Sequence, residues 1–138
     1  MPRKHILAVV AFVLFLRLPF LNQAVQGDDY YYLAAAQHAQ IDPLHPHHAR
    51  YVFLGEVIDM RGHPHPPGNA WVLAGLLALA GDVREPVFHA AYIGFSLIAA
   101  LAMLWLAHRF APRRALEATL LFCAVPAFVV NGTSFEAD

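Results

Sequence analysis

Asn69-Ala70-Trp71-Val72-Leu73-Ala74-Gly75-Leu76-Leu77-Ala78-Leu79-Ala80 is the stretch whose reading decides the fold. It is apolar, headed by a tryptophan and stopped by Gly81–Asp82. As a helix it runs roughly 20 Å. That length suits an interfacial or re-entrant segment better than a span. The following run, residues 87–107, is long enough to cross a bilayer, and Arg109, Arg113 and Arg114 come after it. If 69–80 crossed, those arginines would lie outside the cell and Asp138 inside. If it stays at the surface, the arginines lie in the cytoplasm, as the positive-inside rule prefers. Asp138 then shares a compartment with Asp28 and Asp29.

The second arrangement is the expectation. It gives an all-α integral membrane protein with spans at about residues 5–21, 87–108 and 115–130. One large outer loop, residues 22–86, carries interfacial helices. Composition agrees: 59% of residues are hydrophobic and 14% charged, with a mean hydropathy of +0.48, against about 25% charge in a soluble domain. The formal net charge of −1 and the absence of a basic stripe exclude nucleic acid as a partner. Cys123 is the single cysteine, so there is no disulfide framework within the chain and no cysteine zinc site.

Toward the N-terminus, Arg3 and Lys4 precede an apolar run, His5–Leu16, which Arg17 interrupts before Leu18–Leu21. A signal peptide would need a small-x-small site before the turn at Asn22–Gln23. None is present, so a retained first span with a cytoplasmic N-terminus is expected. Arg17 would snorkel to the headgroups or contact a phosphate. Toward the C-terminus, residues 115–130 are apolar and 131–138 polar. We expect a single N-terminal membrane region, residues 1–138, of a longer protein.

The outer loop opens on Gly27-Asp28-Asp29-Tyr30-Tyr31-Tyr32. Asp28 is placed to cap a helix over Asp29–Ala39, with the tyrosines as an interfacial side. A carboxylate beside an apolar surface is partly desolvated and suits a general base. Two adjacent acids could also hold a divalent cation. Residues 42–67 are dense in histidine and proline, with five of the nine histidines at 45, 47, 48, 63 and 65. Proline fixes backbone angles and removes donors, so these are stiff loops, with 51–60 a short strand or a helical turn between them. The histidine spacings match no zinc pattern. Arg61, His63 and His65 would face a lipid phosphate. Asn131-Gly132-Thr133 fits a glycosylation acceptor, though a loop turn is the better reading. Glu117 sits near the cytoplasmic interface.

The ordered set resembles the glycosyltransferase C superfamily, in its protein O-mannosyltransferase and aminoarabinose-transferase branch (family 39-like). The residues that carry the likeness are Arg17-Leu18-Pro19, Asp28-Asp29-Tyr30, His65-Pro66-Pro67, the basic turn from Arg109 to Arg114, and Ser134-Phe135-Glu136-Ala137-Asp138. The likeness covers the whole chain in order. It departs in having Asp29 for the usual Glu, Gly68 for a Leu, and His65 for the frequent Lys. The resemblance implies a lipid-donor glycosyltransferase of the bacterial inner membrane, inverting at the sugar carbon, with its active face periplasmic. Asp28 would be the base that activates the acceptor. Asp29 and Asp138 would line the site as further candidate catalytic acids. His65 would face the phosphate of a polyprenyl-phosphate sugar, with Arg17, Tyr32, Arg61 and His63 as further substrate contacts. The resemblance names no certain cofactor and leaves a divalent metal open, and the partners are that donor and membrane lipids. The rival from the residues alone is a metal-binding or transport-related polytopic membrane protein using the His45–His65 loop.

Overall fold

The computed structural model describes residues 2–25, 27–62, 65–130 and 134–135. The chain is mostly helical, 70% helix against 6% strand. It divides into two compact units, residues 1–23 with 85–134, and residues 24–84 with 135–138.

The first unit is a helical bundle of α1 (Arg3–Arg17), α4 (Glu85–Phe110), α5 (Ala115–Ala124) and α6 (Pro126–Val130). Val9 and Val13 on α1 are one turn apart, as are Ala100 and Leu104 on α4, and with Cys123 they form the buried core. Leu16, Leu97, Leu116 and Leu120 pack around it. The outward faces are apolar too: Phe15, Ile98, Trp105, Phe110 and Leu121 are all exposed.

Only α4, of 26 residues, is long and apolar enough to cross a membrane among the described residues. The other two expected spans differ from expectation for local reasons. α1 has 15 residues and passes into a 3-10 turn, Leu18–Phe20, because Pro19 supplies no backbone donor. The run 115–130 is broken, since Pro126 forces the preceding Val125 into an extended conformation (ψ 144°).

The second unit holds α2 (Asp29–Ala39), α3 (Pro67–Ala80) and an antiparallel hairpin of β1 (Arg50–Phe53) and β2 (Glu56–Asp59). The hairpin is an addition to the all-α expectation: most of 51–60 is strand, with a turn at 54–55 and a 3-10 turn, Met60–Gly62, at its end. Its register pairs Arg50 with Asp59 and Phe53 with Glu56. Leu54 at its tip sits at φ 52° and is 90% exposed.

α3 begins where Pro67 takes the first helical position, at which a missing N–H costs nothing. It ends at Gly81 (φ 78°), whose amide caps the Leu77 carbonyl at 2.8 Å. Ala70, Leu73 and Leu77 form its buried stripe, and Ala35, Ala36 and Ala39 that of α2. Small residues on α2 let the two helices lie close. Trp71 Nε1 donates to the Pro43 carbonyl (2.8 Å), and the Gln40 side-chain amide donates to that of Ala74 (3.3 Å). Both tie the histidine loop and α2 to α3.

Candidate functional site

The acidic turn separates its two carboxylates. Asp28 is exposed, while Asp29 is 3% exposed. The expected side-chain cap by Asp28 is absent. Its backbone is already helical (φ −77°, ψ −8°), and its carbonyl takes the Tyr31 amide at 2.9 Å.

The Asp29 carboxylate instead accepts the backbone N–H of Phe135 at 2.7 Å, across 106 residues of chain. The Asn69 side-chain amide donates to the carbonyl of the same Phe135 at 2.6 Å. Phe135 is fully buried. Both polar groups of one peptide residue are thus held by side chains from the starts of α2 and α3, a charge-assisted bond on one side. Sequence reasoning missed Asn69 in this role. The available signal was a lone amide in the first turn of an otherwise apolar helix.

Tyr31 and Tyr32 are both buried on α2. The Tyr32 hydroxyl lies 3.4 Å from His65 Nδ1. Tyr31 is ringed by His65, Tyr51 and His47, with centroids at 5.1, 5.2 and 5.8 Å. Burial pushes the Tyr31 phenol up, a backbone hydrogen bond from His65 offsetting part of the shift. The phenol is neutral at physiological pH.

Arg61 turns away from this cluster to Asp59, which accepts from Nε (3.0 Å) and from NH2 (2.5 Å). Those bonds hold the Asp59 carboxyl well below its usual range and raise Arg61 further. The His45 ring likewise lies 3.0 Å from Asp42, and the hydrogen bond between them lowers the Asp42 carboxyl.

Arg17 belongs to the first unit and does not snorkel. It is 2% exposed. NH1 donates to the Val129 carbonyl at 3.1 Å, NH2 donates to that of Phe128, and the guanidinium lies 4.7 Å from the Phe128 ring centroid. Its terminal nitrogens are committed to the carbonyl end of α6, a natural place for a cation.

So the second unit joins Asp29 and Asn69 to Phe135, and Tyr32 to His65, from motifs far apart in sequence, with Asp28 exposed beside Asp29. It does not bring Arg61 to them. His63, Asp138 and the Asn131–Thr133 motif lie outside the described residues. No group of three His, Cys, Asp or Glu side chains is poised to hold a metal ion among the described residues.

A pocket of about 300 Å³ opens nearby, lined by Leu44, His45, His47, His48, Arg61 and Pro67. Burial lowers the His47 pKa, and the neighbouring His65 and His48 lower it further. His47 is therefore neutral in the fold below the pH at which an unfolded imidazole would charge. Its contribution to stability is complete above about pH 6.5 and is lost as pH falls toward the depressed folded value. We expect thermal unfolding to move to lower temperature on acidification from about pH 7 to 5, and His47→Phe to flatten that dependence. A dependence that His47→Phe leaves intact would assign it elsewhere.

Fold and site define a predominantly helical protein with an exposed acid beside a buried, peptide-holding one. No family model, curated protein or solved structure matches the chain.

Proposed function

We propose that the chain belongs to a membrane glycosyltransferase that moves a sugar from a polyprenyl-phosphate donor to an acceptor on the extracytoplasmic side. The observation that supports it most is the split acidic turn. Asp28 faces solvent, while Asp29 ties down the segment that leads to Asp138. The proximity of Tyr32 and His65 to each other also favours it.

In this reading Asp28 takes the proton of an acceptor hydroxyl or amine as that oxygen or nitrogen bonds to the anomeric carbon. The bond from that carbon to the donor phosphate breaks, and its electron pair leaves on the phosphate oxygen. One base with electrostatic stabilisation of the leaving phosphate is sufficient chemistry. His65 is the phosphate-facing group, and Arg61, held by Asp59, is left out of this role. Asp29 is a positioning residue, and Arg17 is one for α6.

The membrane setting is the bacterial inner membrane, with the second unit on the periplasmic face. α4 supports it: its 18-residue apolar window is only 28% buried, whereas a helix apolar all round in water would be covered. α1 with its 3-10 turn, α4, and α5 with α6 would be the three crossings.

Membranes carrying the protein should transfer labelled sugar from a polyprenyl-phosphate donor with inversion at the anomeric carbon. Retention of configuration would exclude a single-base displacement. In the same membranes, Asp82→Cys should react with an impermeant thiol reagent from the periplasm and Arg113→Cys should not. The reverse pattern would put Asp28 and Asp138 on opposite sides and end the reading.

A further inference from the structure

The pocket beside the start of α3 is walled by the three imidazoles of His45, His47 and His48, with Arg61 at its edge. We propose that it is a proton-gated site for a phosphate-class oxyanion, filled when its imidazoles are charged and empty of anion when they are not.

Three observations within the second unit carry this. His47 is 8% exposed and lines the pocket, yet no hydrogen bond to its ring is present among the described residues. An imidazole that lines a cavity with no hydrogen bond to its ring has a donor and an acceptor to offer when neutral and two donors when charged. His45 and His48 stack with centroids 4.6 Å apart. That pairing is comfortable when neutral, and repulsive when both are charged unless an anion lies between them. Pro67 in the pocket wall is the first residue of the 14-residue helix α3. The amides of that first turn add partial positive charge at the same place.

The charges around the pocket set the gate. Asp42 lies against His45, and Asp59 accepts from Arg61. Tyr31 stacks on His47 from the other side, and His65 and Tyr51 pack against the Tyr31 ring. Near neutral pH the two carboxylates outweigh the single charge of Arg61, and nothing in the pocket draws an anion. Protonation of the imidazoles reverses the sign. A bound anion would in turn stabilise the charged form of His47, so protons and anion favour one another.

The inference rests on the transferase reading only for the natural carrier of the phosphate, a lipid-linked ester. Its test therefore uses inorganic phosphate and the full chain in detergent. Calorimetric titration should give binding at about pH 5.5 that weakens about tenfold or more at about pH 8. His45→Gln with His48→Gln alters exposed side chains and should remove that gain while leaving the circular dichroism spectrum unchanged. Equal affinity at the two pH values, or an unchanged gain in the double variant, overturns the site. Competition by phosphatidic acid in nanodiscs would assign the pocket to a lipid-borne phosphate, and its absence to a soluble one. Phosphate binding without sugar transfer would keep the pocket and remove the transferase; transfer without phosphate binding would do the opposite.

Discussion

Asp28→Asn should lower sugar transfer by about 100- to 10,000-fold, the usual contribution of a general base, and leave folding untouched. The two halves of this outcome come from different places. Asp28 is exposed and makes no side-chain cap to α2, so an amide there removes proton-accepting capacity and no structural bond. Helix content and thermal midpoint should match the parent, and the protein should still enter membranes. Rates would be measured with a labelled polyprenyl-phosphate donor at saturating acceptor. An acceptor already deprotonated at assay pH should recover part of the loss, because it has no proton to give up. Full activity in Asp28→Asn would take this carboxylate out of the mechanism.

Asp29 should behave in the opposite way. Asp29→Ala leaves the buried amide of Phe135 without its acceptor, and a buried donor left unmade costs about 1–3 kcal/mol. The denaturation midpoint should drop accordingly. Hydrogen exchange at the Phe135 amide should speed up by more than exchange in α3. Asp29→Asn keeps an oxygen that can accept the same bond, so it should lose less stability and retain a substantial share of transfer. Asn69→Ala, which frees the other side of the same peptide residue, should resemble Asp29→Ala. If Asp29→Asn proves inactive at full stability, Asp29 takes part in the chemistry instead of holding the chain.

The adjacency of these two acids marks how far the sequence could be read. α2 and α3 were legible because an alanine-rich run and a leucine-rich run are each closed by proline or glycine. Their observed bounds, Asp29–Ala39 and Pro67–Ala80, follow that punctuation. The hairpin stayed ambiguous because Val52, Phe53, Val57 and Ile58 are all at least partly exposed and show no clean alternation of apolar and polar positions. Pro126 was visible as a breaker, yet the apolar run on both sides of it invited a continuous span. Arg17 was misplaced because a lone cation in an apolar run is expected to reach for water; the carbonyls that hold it are 111 and 112 residues away. The split of Asp28 from Asp29 was equally out of reach, since Phe135 decides it and no local pattern connects the two.

The reach of Arg17 also bears on the order in which the chain can acquire its shape. α6 has five residues, and a helix so short has almost no intrinsic tendency to form. Its carbonyl end is held by a side chain that emerges from the ribosome more than a hundred residues earlier. The carbonyl end of α6 thus depends on a contact that cannot close until both segments have been made, however early α1 appears.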